Sequence, residues 1–272
     1  MGIPSGLLVK QLSVTTGQQR VVFVLLRGPS HYSLTHPPLT VLAAIIANLT
    51  TCSTVSLTTR AKMLGNKLRL IYFDIRSRAE VSRLLLAAAG QEYEDVRISH
   101  EEWADEKPKT PFGQVPVLEV NGKKYAQSVA IVTYLAREFG LYGQTNLDGL
   151  EIDQIVQLNQ DFRNKAVTAL REPDETRKAE LLQNVKEVEG PKYLGFLEKL
   201  LKESGTGYFV GESLTLADIS TYDNVYAFSV RGPLWSWPDP DSKYPLLQEN
   251  YNRVENVERI KAYLANRKPA DL

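Results

Sequence analysis

The 272-residue chain has one cysteine, Cys52, and three histidines, His31, His36 and His100. One cysteine rules out a disulfide framework within the chain and leaves too few ligands for a Cys/His zinc site. Beyond residue 62 only His100 remains, so Ser-His-Asp or Cys-His catalysis has no basis there. Chemistry must then run on hydroxyls, carboxylates, amines or a borrowed co-substrate. The low cysteine count fits a reducing compartment. A charge surplus is also missing. Lys+Arg and Asp+Glu are both 32, which argues against nucleic acid as the main partner, because phosphate binding needs a basic excess. Long apolar runs are absent too. VVFVLL and VLAAIIANL fall short of the ~18 residues a membrane span requires, so no span is expected.

The fourth absence is local. Residues 1–62 contain no Asp or Glu, and the first acid is Asp74. This segment is rich in Ser and Thr and carries only Lys10, Arg20, Arg27, Arg60 and Lys62 as basic residues. It reads as a leader or tail, expected to be disordered. Three origins stay open: an organellar transit peptide, a tail of unknown role, or sequence upstream of a true start at Met63. The expected compartment is the cytoplasm, or the mitochondrion if the segment is a transit peptide.

From residue 67 the patterning becomes regular. LRLIYF alternates Leu68, Leu70 and Tyr72 on one face with Arg69, Ile71 and Phe73 on the other, as a strand does. Ser77-Arg78-Ala79-Glu80 fits an S-x-x-E capping box before the helix AEVSRLLLAAAG, which Gly90 ends. EYEDVRI reads as a second strand. VPVLEV and KKYAQ, joined by Asn121-Gly122, read as an antiparallel hairpin. Ser128 is expected to cap the helix VAIVTYLAREFG. After the connection LYGQTNLDG every signal is helical, including Thr215 and Asp218 as a cap pair with Leu214 and Ile219 as its apolar staple. LQENYNRVENVERIKAYLANR reads as one last helix. A small α/β domain over 67–143 thus precedes an all-helical domain over 149–270.

LIYFDIRSRAE, PFGQVPVLEV, AQSVAIVTYLARE and LTLADIS, in this order and spacing, resemble the cytosolic glutathione transferases. YFDIRSRAE, Trp103 with Lys107, and Gln-Asp-Phe at 160–162 look most like the sigma class, which includes glutathione-dependent prostaglandin D synthase and lens S-crystallins. The resemblance spans residues 67–270. It implies a thioredoxin-like N-terminal domain, a helical C-terminal domain and a homodimer.

It also implies roles. Tyr72 would activate the glutathione thiol. A free thiol has a pKa of ~8.5, and a phenol O–H aimed at sulfur stabilises the thiolate. Arg78 would assist, by lending positive charge or by holding Tyr72. Ser77 stands where relatives usually have glycine. Gln127 and Ser128, at a helix start, would hold the γ-glutamyl carboxylate. Trp103 and Lys107 would reach the glycyl carboxylate. In Phe112-Gly113-Gln114-Val115-Pro116, Gly113 and Gln114 would flank the peptide site, and a cis bond before Pro116 would let the Val115 backbone pair with the cysteinyl backbone. Asp161 would reach the partner subunit's γ-glutamyl amine. Phe73, Ile75 and Thr168 would line a pocket for a small hydrophobic electrophile. A prostaglandin synthase of this class would carry an aromatic wall near 168 and a metal-linked acid at 160. Here these are Thr168 and Gln160, so no metal is expected. The expected function is conjugation of glutathione, the co-substrate, to small apolar electrophiles. The alternatives are a prostaglandin-type isomerase and a non-catalytic, crystallin-like or interaction protein.

Overall fold

A computed structural model describes residues 8–16, 19–27, 67–229 and 243–267. The chain divides into two compact units, 1–55 and 56–272. In the first, β1 (Leu8–Thr16) and β2 (Gln19–Arg27) pair antiparallel, from Thr16 opposite Gln19 to Leu8 opposite Arg27. The rest of the leader, and residues 268–270 of the expected helical domain, lie outside the described residues.

The second unit opens with β3 (Leu68–Phe73), α1 (Glu80–Ala89), β4 (Glu94–Ile98) and the short α2 (Trp103–Glu106). It continues with β5 (Val117–Val120), β6 (Lys123–Ala126) and α3 (Ser128–Glu138). The sheet order is β4-β3-β5-β6, with β3 parallel to β4 and the other pairs antiparallel. This is the thioredoxin-like arrangement. The alternation in β3 sorts its side chains as expected. Leu68, Leu70 and Tyr72 enter the main core, while Ile71 joins Ile98 and Val117 on the opposite face. The hairpin turns through Asn121 at φ 51° and Gly122 at φ 85°, both left-handed as a type I′ turn requires.

Among the described residues, six further helices follow: α4 (Asn146–Leu170), α5 (Glu175–Asn184), α6 (Gly190–Ser204), α7 (Leu216–Ser229), α8 (Pro245–Glu255) and α9 (Glu258–Asn266). None of the helices among the described residues is long and apolar enough to cross a membrane. Helix α4 starts inside the stretch read as a connection, because Thr145 and Asp148 form a complete capping box there. A π-helical turn at Val185–Glu189 joins α5 to α6 and carries the backbone past Pro191, which cannot donate to the ordinary i−4 bond. The last helix is not continuous. It breaks at Asn256–Val257, where Val257 turns to ψ 120° and Asn256 Nδ2 donates to the Asn252 carbonyl. At the start of α7 the Asp218 half of the expected cap forms. Thr215 N–H and Oγ1 both donate to Asp218 Oδ2 at 2.8 Å, with Ile219 fully buried beneath.

Two expected caps do not form. Ser77 makes no capping bond and sits in a 3₁₀ turn at φ 36°, while Glu80 is fully buried instead of reaching back to the turn. Its carboxylate is drawn to four partners in the interior: Arg76, Arg83, Arg267 and Tyr263. Ser128 is the first helical residue of α3. The position before it is Gln127, in the left-handed region at φ 76°, and no side chain caps that helix.

Candidate active site

Tyr72 and Phe73 close strand β3, just ahead of the turn that carries Arg78. Tyr72 is 5% exposed, and its Oη accepts the Arg78 backbone N–H at 3.4 Å. That bond uses a lone pair of the phenol. No protein acceptor among the described residues takes the phenol proton, so the O–H can donate to an incoming sulfur. The Arg78 side chain, expected to lend charge to the thiol or to hold Tyr72, crosses to α4. Nη1 donates to Gln160 Oε1 at 3.3 Å and Nη2 to Asn164 Oδ1 at 3.0 Å.

A small cleft joins these groups to the start of α3. Ser77, Arg78, Ser128 and Gln160 line it, with Val81, Val129 and Val156 as an apolar wall. Arg78 and the uncapped N-terminus of α3 therefore share one opening, and Tyr72 lies beneath it, reached through its bond to the Arg78 N–H. Backbone N–H groups at such a terminus favour an anion. A larger apolar groove of about 410 Å³ lies along β5, β6 and α3, lined by Phe112, Tyr125 and Tyr134 among others. It contains none of the candidate catalytic groups, so size does not mark the site here.

The remaining peptide-binding candidates flank the turn. Trp103, half-buried, meets Phe73 edge-on at 5.4 Å between ring centroids, and His100 lies 4.9 Å from the same ring. Lys107 is exposed, and its stem runs beside Gly113, where an added methyl would meet its Cε at 3.4 Å. Gly113 has φ 64°. The Val115–Pro116 peptide bond is cis. Gln114, Gln127 and Asp161 are exposed. The three electrophile-pocket candidates are placed differently. Phe73 belongs to the aromatic trio with His100 and Trp103, and the Ile75 carbonyl accepts from Arg83 Nη1 at 2.9 Å. Thr168 is exposed on α4.

Behind the turn lies a buried charge cluster that the sequence did not announce. Glu80 meets Arg267 at 2.8 Å, Arg83 at 3.2 Å and Arg76 at 3.7 Å. Asp223 on α7 meets Arg163 at 2.7 Å and Arg76 at 3.6 Å. The Arg76 guanidinium also lies 3.8 Å over the Tyr226 ring. Burial alone pushes the Glu80 carboxyl up, but Arg76, Arg267 and Arg83 together hold it below the usual carboxylate value. The cluster ties the turn carrying Tyr72 and Arg78 to α4, α7 and the C-terminal residues. Only spacing could have hinted at it, since Arg76, Glu80 and Arg83 are i, i+4 and i+7.

Comparison with known proteins places the two domains in a family. Residues 68–137 match the model of the glutathione S-transferase N-terminal domain, and residues 160–267 match that of its C-terminal domain. "Glutathione S-transferase 4" of Caenorhabditis elegans is 38% identical over 204 residues, covering 74% of this chain and 96% of that protein. A nu-class transferase structure from Haemonchus contortus superposes with a TM-score of 0.68 at 35% identity, covering 76% of this chain and all of that one. A prostaglandin synthase D structure from Nilaparvata lugens gives 0.68 at 32% identity, covering 75% and 99%. With both domain models matched in order and relatives covered almost end to end, the chain belongs to the glutathione S-transferase family.

Proposed function

We propose that this transferase activates glutathione with Tyr72 and adds the thiolate to small apolar electrophiles. The observation that carries the assignment is the Tyr72 hydroxyl: it is buried, fixed by the Arg78 N–H, and its proton goes to no acceptor among the described residues. Lowering a thiol pKa by ~2 units needs about 2.7 kcal/mol of differential interaction. One or two charge-assisted hydrogen bonds in a partly dry cleft can supply it. Tyr72 donates to the sulfur and stays protonated, and Arg78 adds positive charge. The peptide is held at three places. Gln127, Ser128 and the N-terminus of α3 take the γ-glutamyl carboxylate. The Val115 backbone, beside Gly113 and Gln114, takes the cysteinyl backbone. Trp103 and Lys107 take the glycyl carboxylate.

The assembly in this reading is a cytoplasmic homodimer of the sigma type. Exposed Asp161 of each subunit completes the neighbouring site by meeting the γ-glutamyl amine. Phe73, Ile75 and Thr168 border the electrophile. The likeness to a prostaglandin synthase D supports a second reading, glutathione-dependent isomerisation. Thr168 and Gln160 weigh against it, because the aromatic wall and metal-linked acid expected of that activity are replaced.

The test is the rate of glutathione conjugation to an aryl halide at neutral pH, using the full chain and its Tyr72→Phe variant. The variant should fall at least tenfold, which is ~1.4 kcal/mol in the transition state, while still binding glutathione. Equal rates would assign thiol activation to another group. Binding without conjugation in both would favour the isomerase.

A further inference from the structure

The arginines around the catalytic turn are not held alike. Arg76, Arg83 and Arg163 are buried, and each faces at least one carboxylate within 4.0 Å. Arg78 is exposed, and among the described residues it makes no ion pair. Its two side-chain acceptors are both neutral amides, Gln160 Oε1 and Asn164 Oδ1. The buried acids on the neighbouring elements are engaged elsewhere. Glu80 of α1 holds Arg76, Arg83 and Arg267, and Asp223 of α7 holds Arg163 and Arg76. Asp161, next to Gln160 on α4, is exposed and is not paired with Arg78. From β3, Tyr72 faces only the Arg78 backbone.

An amide oxygen fixes the direction of a guanidinium without cancelling its charge, whereas a carboxylate does both. We propose that Gln160 and Asn164 are positioning residues that form a neutral cradle for Arg78, keeping its full positive charge available to the glutathione thiolate. The proposal rests on the glutathione reading above. An uncancelled cation close to a thiol lowers its pKa, typically by about 1–3 units. A carboxylate at either cradle position would return part of that shift. The chain thus sets thiol acidity through the two side-chain partners of Arg78.

The test uses the full chain and glutathione itself as probe. The ultraviolet thiolate band of bound glutathione is titrated with pH in the parent, in Asn164→Asp, in Gln160→Glu and in Asn164→Ala. The pH profile of kcat/KM with an aryl halide is recorded alongside. Asn164 is exposed, and aspartate keeps its shape and can still accept from Arg78. Both acid variants should raise the bound-thiol pKa by about one unit, with roughly a tenfold loss of kcat/KM on the acid side of the profile. Asn164→Ala should move the pKa less than Asn164→Asp does.

A purely structural role predicts that the aspartate, which preserves the hydrogen bond, leaves the profile unmoved; that result would overturn the cradle. Equal shifts in Asn164→Ala and Asn164→Asp would also overturn it, because orientation alone would then account for the effect. A parent that binds glutathione with an ordinary thiol pKa would sink the thiol-activation reading and the cradle together. A lowered parental pKa that the acid variants leave in place would sink the cradle alone.

Discussion

Replacing Glu80 by glutamine separates two accounts of the turn that follows β3. If Glu80 were the second half of a surface capping box, its loss would cost about 1 kcal/mol. The structure instead buries it fully among Arg267 at 2.8 Å, Arg83 at 3.2 Å, Arg76 at 3.7 Å and the Tyr263 hydroxyl at 3.1 Å. Glutamine keeps the shape but removes the charge, and its amide turns donors toward guanidinium donors. Removing one member of a buried ion cluster costs roughly 3–5 kcal/mol, because the opposite charges stay buried without compensation. With a urea m-value of ~3 kcal/mol per molar, the midpoint should fall by about 1–2 M at fixed protein concentration. The pH dependence gives a second readout. The folded Glu80 carboxyl is held below its ordinary value of 4.5. Its stabilisation is therefore fully present above that value and is lost as pH falls through the lower folded pKa. The parent should lose this increment in acid, while Glu80→Gln, lacking it throughout, should show a flatter acid limb. A midpoint change equivalent to 1 kcal/mol or less, with parallel acid limbs, would refute the buried-cluster reasoning.

Two further outcomes follow from local geometry. Asp218 accepts from Thr215 N–H, Thr215 Oγ1, Phe209 N–H and Asn250 Nδ2. Asp218→Ala orphans these buried donors and should cost roughly 2–4 kcal/mol in urea unfolding; a loss below ~1 kcal/mol would contradict it. Ser77 adopts φ 36°, a conformation that costs a non-glycine residue about 1–2 kcal/mol. Ser77→Gly should therefore leave stability unchanged or raise it by up to ~1 kcal/mol in thermal unfolding, and a clear destabilisation would show that the serine hydroxyl matters.

The fold was legible wherever side-chain period and turn chemistry agreed. The alternation of Leu68, Leu70 and Tyr72, the Asn121-Gly122 turn and the Thr215/Asp218 cap all appear where the sequence put them. Thr145 with Asp148 is an equally clear cap pair, and it starts α4 at Asn146, within the stretch whose Gly143 and Gly149 read as a connection. The charged residues depart from local rules for a longer-range reason. A glutamate three residues after a serine is a surface cap unless arginines from distant segments bury it, and Arg267 lies 187 residues away from Glu80. The same long-range effect hid the partners of Arg78. Gln160 and Asn164 are 82 and 86 residues downstream, and only the packing of α4 against the turn brings them within reach.

The most direct measurement is the pKa of the glutathione thiol in complex with the full chain and with Tyr72→Phe, followed by the ultraviolet thiolate band. The account predicts a parental value about two units below the ~8.5 of a free thiol, and a return toward that value in the variant. An equally lowered pKa in both proteins would contradict the assignment of thiol activation to the buried hydroxyl at the end of β3.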